Sequence, residues 1–180
     1  MQKMESENLM SEADRRRIVS SRHLAEGPGW ETSEFEFGLI VAYNAFNRWI
    51  QKCMAAAGMP ELGSLEILVL HHTNHRNRDK RIADIGFQLN IEDNHTIGYA
   101  LRKLIKLELI TTEKRGKEVF YGTSDSGRKL CEMYRVVRKE CFINGIPQTG
   151  ITGEEFSNIA TSLRALSGQY DQASRAATSL

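Results

Sequence analysis

The chain has 180 residues, about the length of one domain. Hydrophobic residues make up 41% and charged residues 26% of it, which are the proportions of a globular protein and exclude a chain that is disordered throughout. The 24 Lys and Arg nearly balance the 23 Asp and Glu, and a net charge of +1 excludes a histone-like basic protein and an acidic tail protein. Nucleic-acid binding stays open, because the distribution of charge matters more than its sum.

The lack of recognisable targeting signals and the pattern of cysteines predict a cytoplasmic protein. The N-terminus has no apolar h-region, and no stretch reaches about 18 consecutive apolar residues, so we expect neither a signal peptide nor a membrane span. Cys53, Cys131 and Cys141 are odd in number and lack paired spacing. This pattern predicts no disulfide framework and no CxxC metal site, and it is typical of a reducing compartment.

The first part of the chain predicts a polar arm and one long helix. Residues 1–33 carry charges of both signs and a Gly-Pro-Gly run near their end, which predicts an N-terminal arm, disordered in part, with a short helix over 12–20. From 34 to 58, apolar residues recur at steps of three and four, the spacing of one helix face. They are Phe35, Leu39, Tyr43, Phe46, Ile50 and Met54. A long apolar helix outside a compact core needs a partner, which is often a second copy of the chain.

Three shorter helices are predicted next, over 64–73, 81–89 and 94–107. Ser64 is the expected N-cap of the first, and the basic segment 74–81 is expected to be a polar connection between the first two. The third helix is expected to bury one face and to expose the other. Its expected buried residues are Ile97, Leu101, Leu104 and Ile105.

The pattern then changes from helix to strand. Residues 109–113 and 118–122 are β-rich runs joined by a four-residue turn over 114–117, which predicts a hairpin. Two further helices are predicted, over 124–142 and 153–170.

Three helices followed by a hairpin is the order of a winged helix-turn-helix. In that fold the helix over 81–89 braces the helix over 94–107, which can lie in the major groove of DNA, because the groove is about 12 Å wide and admits one α-helix. The charge distribution agrees with such a role. Residues 76–118 hold ten Lys and Arg against seven Asp and Glu, a net charge of +3, whereas the rest of the chain has a net charge of −2.

Three runs of sequence in this region carry a resemblance to a known family. They are RIADIG at 81–86, DNHTIGYALRKL at 93–104 and TSDSGRKL at 123–130. The first resembles the brace helix of the MarR family of transcription regulators, the second its recognition helix, and the third the start of the helix that follows its wing. No single run is highly specific, but their order and spacing are similar to those of the family over about 35–170.

The resemblance implies a mainly α-helical fold with a small β-hairpin wing. A winged helix-turn-helix core over 62–122 would be flanked by dimerisation helices over 34–58 and 124–170, within a single domain over 34–175 that ends in a frayed tail over 171–180. The implied function is that of a sequence-specific transcription regulator of double-stranded DNA, a repressor acting as a homodimer. Two-fold symmetry sets two recognition helices about one DNA turn apart, which favours a pseudo-palindromic site.

The expected DNA contacts divide into base-reading and phosphate-binding side chains. The base-reading candidates lie at the start of the recognition helix, where amide, imidazole, methyl and hydroxyl groups can read base edges. They are Asn94, His95, Thr96 and Tyr99. The phosphate-binding candidates are cations of the recognition helix and the wing. They are Arg102, Lys103, Lys114, Arg115 and Lys117.

Three departures from the family pattern favour an alternative function. The wing lacks the aspartate that in the family pairs with an arginine, and Asn94 stands where the family often has an arginine. Gly98 lies inside the recognition helix, where it costs about 0.5–1 kcal/mol relative to alanine unless the backbone approaches something closely. The alternative is a winged-helix module that binds protein or ligand and has lost its affinity for DNA.

A metal site, oxidant-sensing cysteines and catalytic motifs are the other candidates that the sequence offers or excludes. His71 and His75 are spaced to share a metal ion, but no third ligand is evident and histidine also complements a helix C-terminus, so we expect no metal and no cofactor. The three cysteines could sense oxidants, as in some MarR relatives, or be buried and inert. The chain has no GxSxG, GxxxxGK[ST], HExxH or GxGxxG motif, so we expect no enzyme.

A small-molecule effector of unknown identity is a further expected partner. Five aromatic side chains could line its pocket between the dimerisation and DNA-binding parts, although the same residues would also suit a core. They are Trp30, Phe35, Phe37, Phe46 and Trp49.

Overall fold

The long first helix begins earlier than its apolar pattern indicates. The computed structural model describes residues 29–180, and helix α1 spans Trp30–Ala56. The last four residues of the expected arm, 30–33, therefore belong to α1, and the short helix over 12–20 lies outside the described residues. Gly29 adopts a left-handed φ of 95° at the N-cap, a conformation that suits glycine, and this allows the helix to start directly after the Gly-Pro-Gly run.

Three helices and a hairpin follow in the predicted order. Helix α2 spans Ser64–Asn74, α3 spans Ile82–Leu89 and α4 spans Asn94–Lys106. A short 3-10 turn, His75–Asn77, follows α2. The expected cap at Ser64 is wrong, because Gly63 is the N-cap and the Ser64 hydroxyl instead accepts a hydrogen bond from Gln51 Nε2 at 3.0 Å.

The wing is a tighter hairpin than predicted. Strand β1 spans Ile110–Arg115 and pairs antiparallel with β2, Glu118–Thr123, so that Arg115 faces Glu118 across a two-residue turn. The expected four-residue turn is wrong, since Lys114 and Arg115 belong to the strand. Gly116 has a φ of +63°, which such short hairpin turns need at a central position.

The observed bounds of the last two helices differ from the predicted ones mainly at the C-terminal end of the second helix. Helix α5 spans Asp125–Cys141, and α6 spans Gly153–Ala177 after a 3-10 segment, Ile143–Thr149. The Thr152 hydroxyl accepts from the Glu155 backbone N–H at 3.2 Å, and the Glu155 carboxylate accepts from the Thr152 backbone N–H at 2.7 Å, which forms a capping box. The expected frayed tail from 171 is wrong up to Ala177, because this segment is rich in alanine, the best helix former.

The buried core lies where α1, α2, α4 and α5 meet. It includes the C-terminal half of α1, and all three of Ile97, Leu101 and Leu104 on α4 are buried as predicted, whereas Ile105 is 37% exposed. By contrast, α6 buries no residue, and the apolar side chains of the N-terminal half of α1 stay exposed or half-buried. No described helix is long and apolar enough to cross a membrane.

Candidate nucleic-acid interface

The first turn of α4 is fixed by Asp93. Its carboxylate accepts hydrogen bonds from the His95 backbone N–H and from the Thr96 hydroxyl, both at 2.8 Å. These bonds, that of Thr96 first, lower the pKa of Asp93. Asn94, His95 and Thr96 are all exposed, so the predicted base-reading residues of this turn lie on the surface. The Thr96 hydroxyl is used by the cap, which leaves chiefly its methyl group for contact with a base.

The second and third turns of α4 present an aromatic ring and a guanidinium together. Tyr99 is 70% exposed, and the guanidinium of Arg102 lies 4.3 Å from the centre of its ring. This cation–π contact extends the exposed face that begins at His95, on the side of the helix opposite its buried residues. The face is therefore polar, aromatic and basic, as contact with a DNA groove requires.

Lys103 is turned towards the protein in the unbound chain. Its ammonium donates to the carbonyl of Glu61 at 2.7 Å and lies 3.5 Å from the Glu66 carboxylate. A phosphate contact by Lys103 would have to replace these two interactions.

Arg115 on the wing is held by two carboxylates. Its Nη2 lies 2.5 Å from Asp79 Oδ2 and 2.5 Å from Glu113 Oε2, and its guanidinium stands 4.6 Å from the centre of the Phe120 ring. Hydrogen bonding to Arg115 lowers the pKa of Glu113. The wing lacks the aspartate of the family pattern, yet its arginine is paired all the same.

The two lysines of the wing differ from Arg115. Lys114 and Lys117 are exposed, and neither has an ion-pair partner in the part of the chain that the structure describes. Lys114 lies one residue before the end of β1, and Lys117 lies in the turn itself. They are therefore the wing cations that are most open to a phosphate.

The segment just before α3 ties the wing to the helices. Lys80 and Tyr121 exchange two backbone hydrogen bonds, at 2.9 and 2.8 Å, which add a one-residue bridge to the edge of β2. Arg81 lies 2.9 Å from the Glu118 carboxylate and 3.0 Å from that of Asp84. The wing is thus fixed against the start of α3 by backbone and side-chain contacts.

Lys80 is a structural residue of the predicted polar connection. It is only 4% exposed, and its ammonium donates to the carbonyls of Thr73, His75 and Arg78 at 3.0, 2.8 and 3.1 Å. Desolvation lowers its pKa. The ammonium satisfies carbonyls at the end of α2, a need that a helix C-terminus always has. Part of the basic run 74–81 is therefore interior rather than surface.

Asp79 and Gly122 are the residues of this region that sequence reasoning missed. A Cβ at Gly122 would lie 2.4 Å from Asp79 Oδ1, so the absent side chain makes room for the carboxylate. The only local signals were a single acid within the basic run NRDKR and a glycine within a β-rich run. Neither identifies a partner, because Asp79 and Arg115 are 36 residues apart.

The histidines of α2 form no metal centre within residues 29–180. No group of three His, Cys, Asp or Glu there is arranged to hold an ion. The His71 ring contacts Tyr134 edge-on at 4.4 Å between centroids, and Nε2 of both His71 and His72 is buried without a hydrogen-bond partner. Desolvation and then the charge of Arg138 lower the pKa of His71, which favours its neutral form.

Two of the cysteines lie in surroundings that suppress reactivity. Cys53 and Cys131 are buried, and burial raises the pKa of both thiols, that of Cys131 to about 11. The Cys53 thiol donates to the Tyr134 carbonyl at 3.6 Å. An oxidant-sensing thiol needs the opposite shift, so the environment of these two agrees with inert core residues.

None of the five aromatic residues expected to line a pocket lines the cleft between α2 and α5. Trp49 packs against Phe142 at 5.8 Å, while Phe35 and Phe46 remain 37% and 47% exposed. The cleft has a volume of about 410 Å³. Its lining residues are His71, Asn74, Arg128, Cys131, Glu132, Tyr134, Arg135 and Arg138.

Comparison with known proteins agrees with this geometry. Residues 62–127 match a family described as a winged helix DNA-binding domain. Among curated protein sequences, the comparison gives no match.

Solved structures of MarR-type regulators have the same fold. A MarR-family transcriptional regulator from Rhodococcus sp. RHA1 is 12% identical with a TM-score of 0.63, over 79% of this chain and 96% of that one. Staphylococcus aureus MarR, in complex with salicylate and kanamycin, is 14% identical with a TM-score of 0.62, over 80% and 95%. Streptococcus pneumoniae FabT, in complex with DNA, is 13% identical with a TM-score of 0.60, over 79% and 99%. The chain therefore has a MarR-like fold in which residues 62–127 match a winged helix domain, and this confirms the fold that the sequence predicted.

Proposed function

We propose that this chain is a sequence-specific regulator of transcription that binds double-stranded DNA. The observation that carries the proposal is the exposed face of α4, on which His95, Tyr99 and Arg102 follow one another along the helix while its opposite face is buried. That face has the donors, acceptors and cation that read a major groove. The match to a DNA-binding domain and the likeness to FabT, solved in complex with DNA, support it.

The chain acts as a homodimer on a pseudo-palindromic site. Support comes from α6, which buries nothing although Phe156, Ile159 and Leu163 recur on one of its faces. Helix α1 likewise exposes Val41 and Phe46. A second copy would cover these surfaces and relate two recognition helices by two-fold symmetry.

Repression is the regulatory outcome that we propose. A dimer that spans two half-sites one DNA turn apart covers a promoter and blocks access to it. Occupancy of the promoter alone is sufficient for this outcome. Reporter transcription from its own upstream region should fall when the chain is supplied, and a rise would overturn repression while leaving DNA binding intact.

Fluorescence anisotropy tests DNA binding directly. The purified chain is titrated into a labelled duplex from upstream of its own gene and into a scrambled duplex of the same composition, each at several salt concentrations. We expect tighter binding to the first duplex and a steep loss of affinity with salt, since neutralised phosphates release counterions. Equal weak binding to both would contradict sequence specificity.

Two variants separate base reading from phosphate binding in that assay. Tyr99→Phe removes only an exposed hydroxyl, so it should reduce the preference for the native duplex more than the affinity for the scrambled one. Lys117→Ala should weaken both equally and lower the salt slope by about 0.9 per lost phosphate contact. A uniform loss in Tyr99→Phe would argue against base reading.

A protein- or ligand-binding module without DNA affinity is the alternative. The pairing of Lys103 with Glu61 and Glu66, and of Arg115 with two carboxylates, favours it, because both cations are engaged inside the chain. Absence of binding to either duplex at low salt would support this function over regulation.

A small organic anion is the effector class that we infer for the α2–α5 cleft. Arg138 has no carboxylate partner among the described residues, and its charge acts on His71 at the cleft wall. Salicylate, which the Staphylococcus aureus MarR complex contains, is a suitable probe. It should raise the melting temperature of the wild-type chain but not that of Arg138→Gln, and an equal rise in both would contradict this site.

A further inference from the structure

The pairing of Arg115 joins the wing to a segment outside it. Glu113 is on the same strand as Arg115, whereas Asp79 precedes α3 and reaches the wing from the side. All three side chains are on the surface, with exposed fractions between 37% and 60%. The cluster of Asp79, Glu113 and Arg115, here called the wing clasp, is therefore accessible to a ligand from solvent.

Asp79 is held in place by its neighbours. Gly122 leaves the space that its carboxylate occupies, since a Cβ there would come within 2.4 Å of Oδ1. The next residue, Lys80, is fixed both by its backbone pairing with Tyr121 and by the three carbonyls around its ammonium. The Phe120 ring packs against the Arg115 guanidinium. Several independent contacts thus hold the wing clasp in place against the wing.

The charge of the clasp opposes the binding of a phosphate. One guanidinium and two carboxylates carry a formal charge of −1, so a phosphate that approaches Arg115 meets a net negative group. A carboxylate and a phosphate also occupy the same fork of guanidinium N–H donors. Both carboxylates contact Nη2 of Arg115, so a phosphate that binds this nitrogen has to displace Asp79, whereas Lys114 and Lys117 have no ion-pair partner among the described residues.

We propose that Asp79 is an intramolecular competitor of DNA phosphate for Arg115, and so limits the affinity of the wing for DNA. This inference rests on the proposed DNA-binding function. Asp79 occupies Arg115 in the free chain, and a phosphate of the DNA backbone displaces it in the complex. The wing consequently gains less from Arg115 than an unpaired arginine would supply.

A double-mutant cycle tests the competition. Affinities for a scrambled duplex are measured by anisotropy at three salt concentrations for the wild type, Asp79→Asn, Arg115→Ala and the double variant. Glu118→Gln, made alone and together with Arg115→Ala, is the matched control, because it removes a carboxylate at the same end of the wing that pairs with Arg81 and not with Arg115. Circular dichroism melting checks that each variant folds.

Asp79→Asn should bind up to about fivefold more tightly than the wild type, a factor that corresponds to about 1 kcal/mol, with a steeper salt dependence. The gain should vanish in the Arg115→Ala background. Any gain from Glu118→Gln should be the same with and without Arg115, since Glu118 does not pair with Arg115.

Weaker binding by Asp79→Asn would overturn the proposal, because Asp79 would then position Arg115 for DNA. An equal gain with and without Arg115 would overturn it as well, since the effect would be that of charge alone. If the wild type binds no duplex even at low salt, the proposed function fails and the competition fails with it. If the wild type binds DNA but the effects of Asp79→Asn and Arg115→Ala are independent, only the proposed role of Asp79 is refuted.

Discussion

Lys114 and Arg115 are adjacent on β1 and both are exposed, yet only the arginine forms ion pairs among the described residues. The difference comes from Asp79 and Glu113, which engage Arg115 and leave Lys114 unpaired among the described residues. Lys103 on α4 shows the same effect through its contact with Glu61. Pairing inside the chain therefore decides how much each cation can contribute to DNA binding.

Burial of the His71 ring makes the free energy of unfolding depend on pH in the range where histidine titrates. Its pKa in the folded chain lies below the ordinary value of 6.5, because of desolvation and the charge of Arg138. Between these two pKa values the unfolded chain binds more protons than the folded one. The free energy of unfolding should therefore fall as pH decreases from 7.5 to 5.5.

Urea unfolding at pH 7.5 and 5.5 measures this effect. His71→Phe keeps a ring against Tyr134 but cannot take up a proton, so its loss of stability across this pH range should be smaller than that of the wild type. Some loss should remain, since desolvation also lowers the pKa of His72. An unchanged pH dependence would show that His71 titrates alike in both states.

At the scale of elements, α4 combines a capped start, a buried face and an exposed face in 13 residues. Asp93 fixes where the helix begins, and Ile97, Leu101 and Leu104 fix which side faces the core. The side that remains exposed is the one that we propose contacts DNA. Its orientation is thus a consequence of packing on the opposite side.

Gly98 weakens α4, although the surrounding structure has room for a side chain at this position. A Cβ there would lie 3.5 Å from Arg102 Nη1 and 3.7 Å from Ile82 Cδ1, which are ordinary contacts. Gly98→Ala should therefore raise the free energy of unfolding by about 0.5–1 kcal/mol. Gly86→Ala is the control, because a Cβ at Gly86 would be 3.0 Å from the Ile91 carbonyl oxygen and should destabilise the chain. Urea denaturation compares them, and a loss of stability in Gly98→Ala would contradict this interpretation.

At the scale of the whole molecule, the described chain has a well-packed winged-helix part and a poorly covered helical part. The core involves α1, α2, α4 and α5, whereas α6 touches the rest through contacts such as the 3.0 Å hydrogen bond from Tyr170 to Glu36. A helix of 25 residues with no buried side chain gains little from packing in one protomer. The proposed dimer supplies that packing.

Ile159→Glu tests the dimer. Ile159 is 50% exposed in the centre of the apolar face of α6, so a charge there should convert the dimer to a 20.4 kDa monomer in sedimentation velocity and reduce DNA affinity by at least tenfold. Thr161→Glu adds the same charge on the opposite side of the helix and should leave the dimer intact. A wild-type chain that is already monomeric at micromolar concentration would refute the proposed assembly.

Local patterns predicted the elements well and their ends less well. The apolar spacing of α4 and the glycine of the wing turn are readable because their causes lie within a few residues. The start of α1 at Trp30 and the extension of α6 to Ala177 were missed, because helix propensity continues there beyond the apolar pattern. Ile105 was expected in the core but is 37% exposed at its edge.

The amino-acid sequence by itself determined the order of helices and hairpin, the reading face of α4 and the basic character of the region around it. These follow from periodicity, capping and composition, which act over one or two turns. Only the tertiary structure decided that Asp79 reaches Arg115, that Lys80 is buried among three carbonyls and that Lys103 turns towards Glu61. Such pairs join residues that are distant in the sequence or hidden by packing, and the energy of a charge depends on the groups that surround it after the chain has folded.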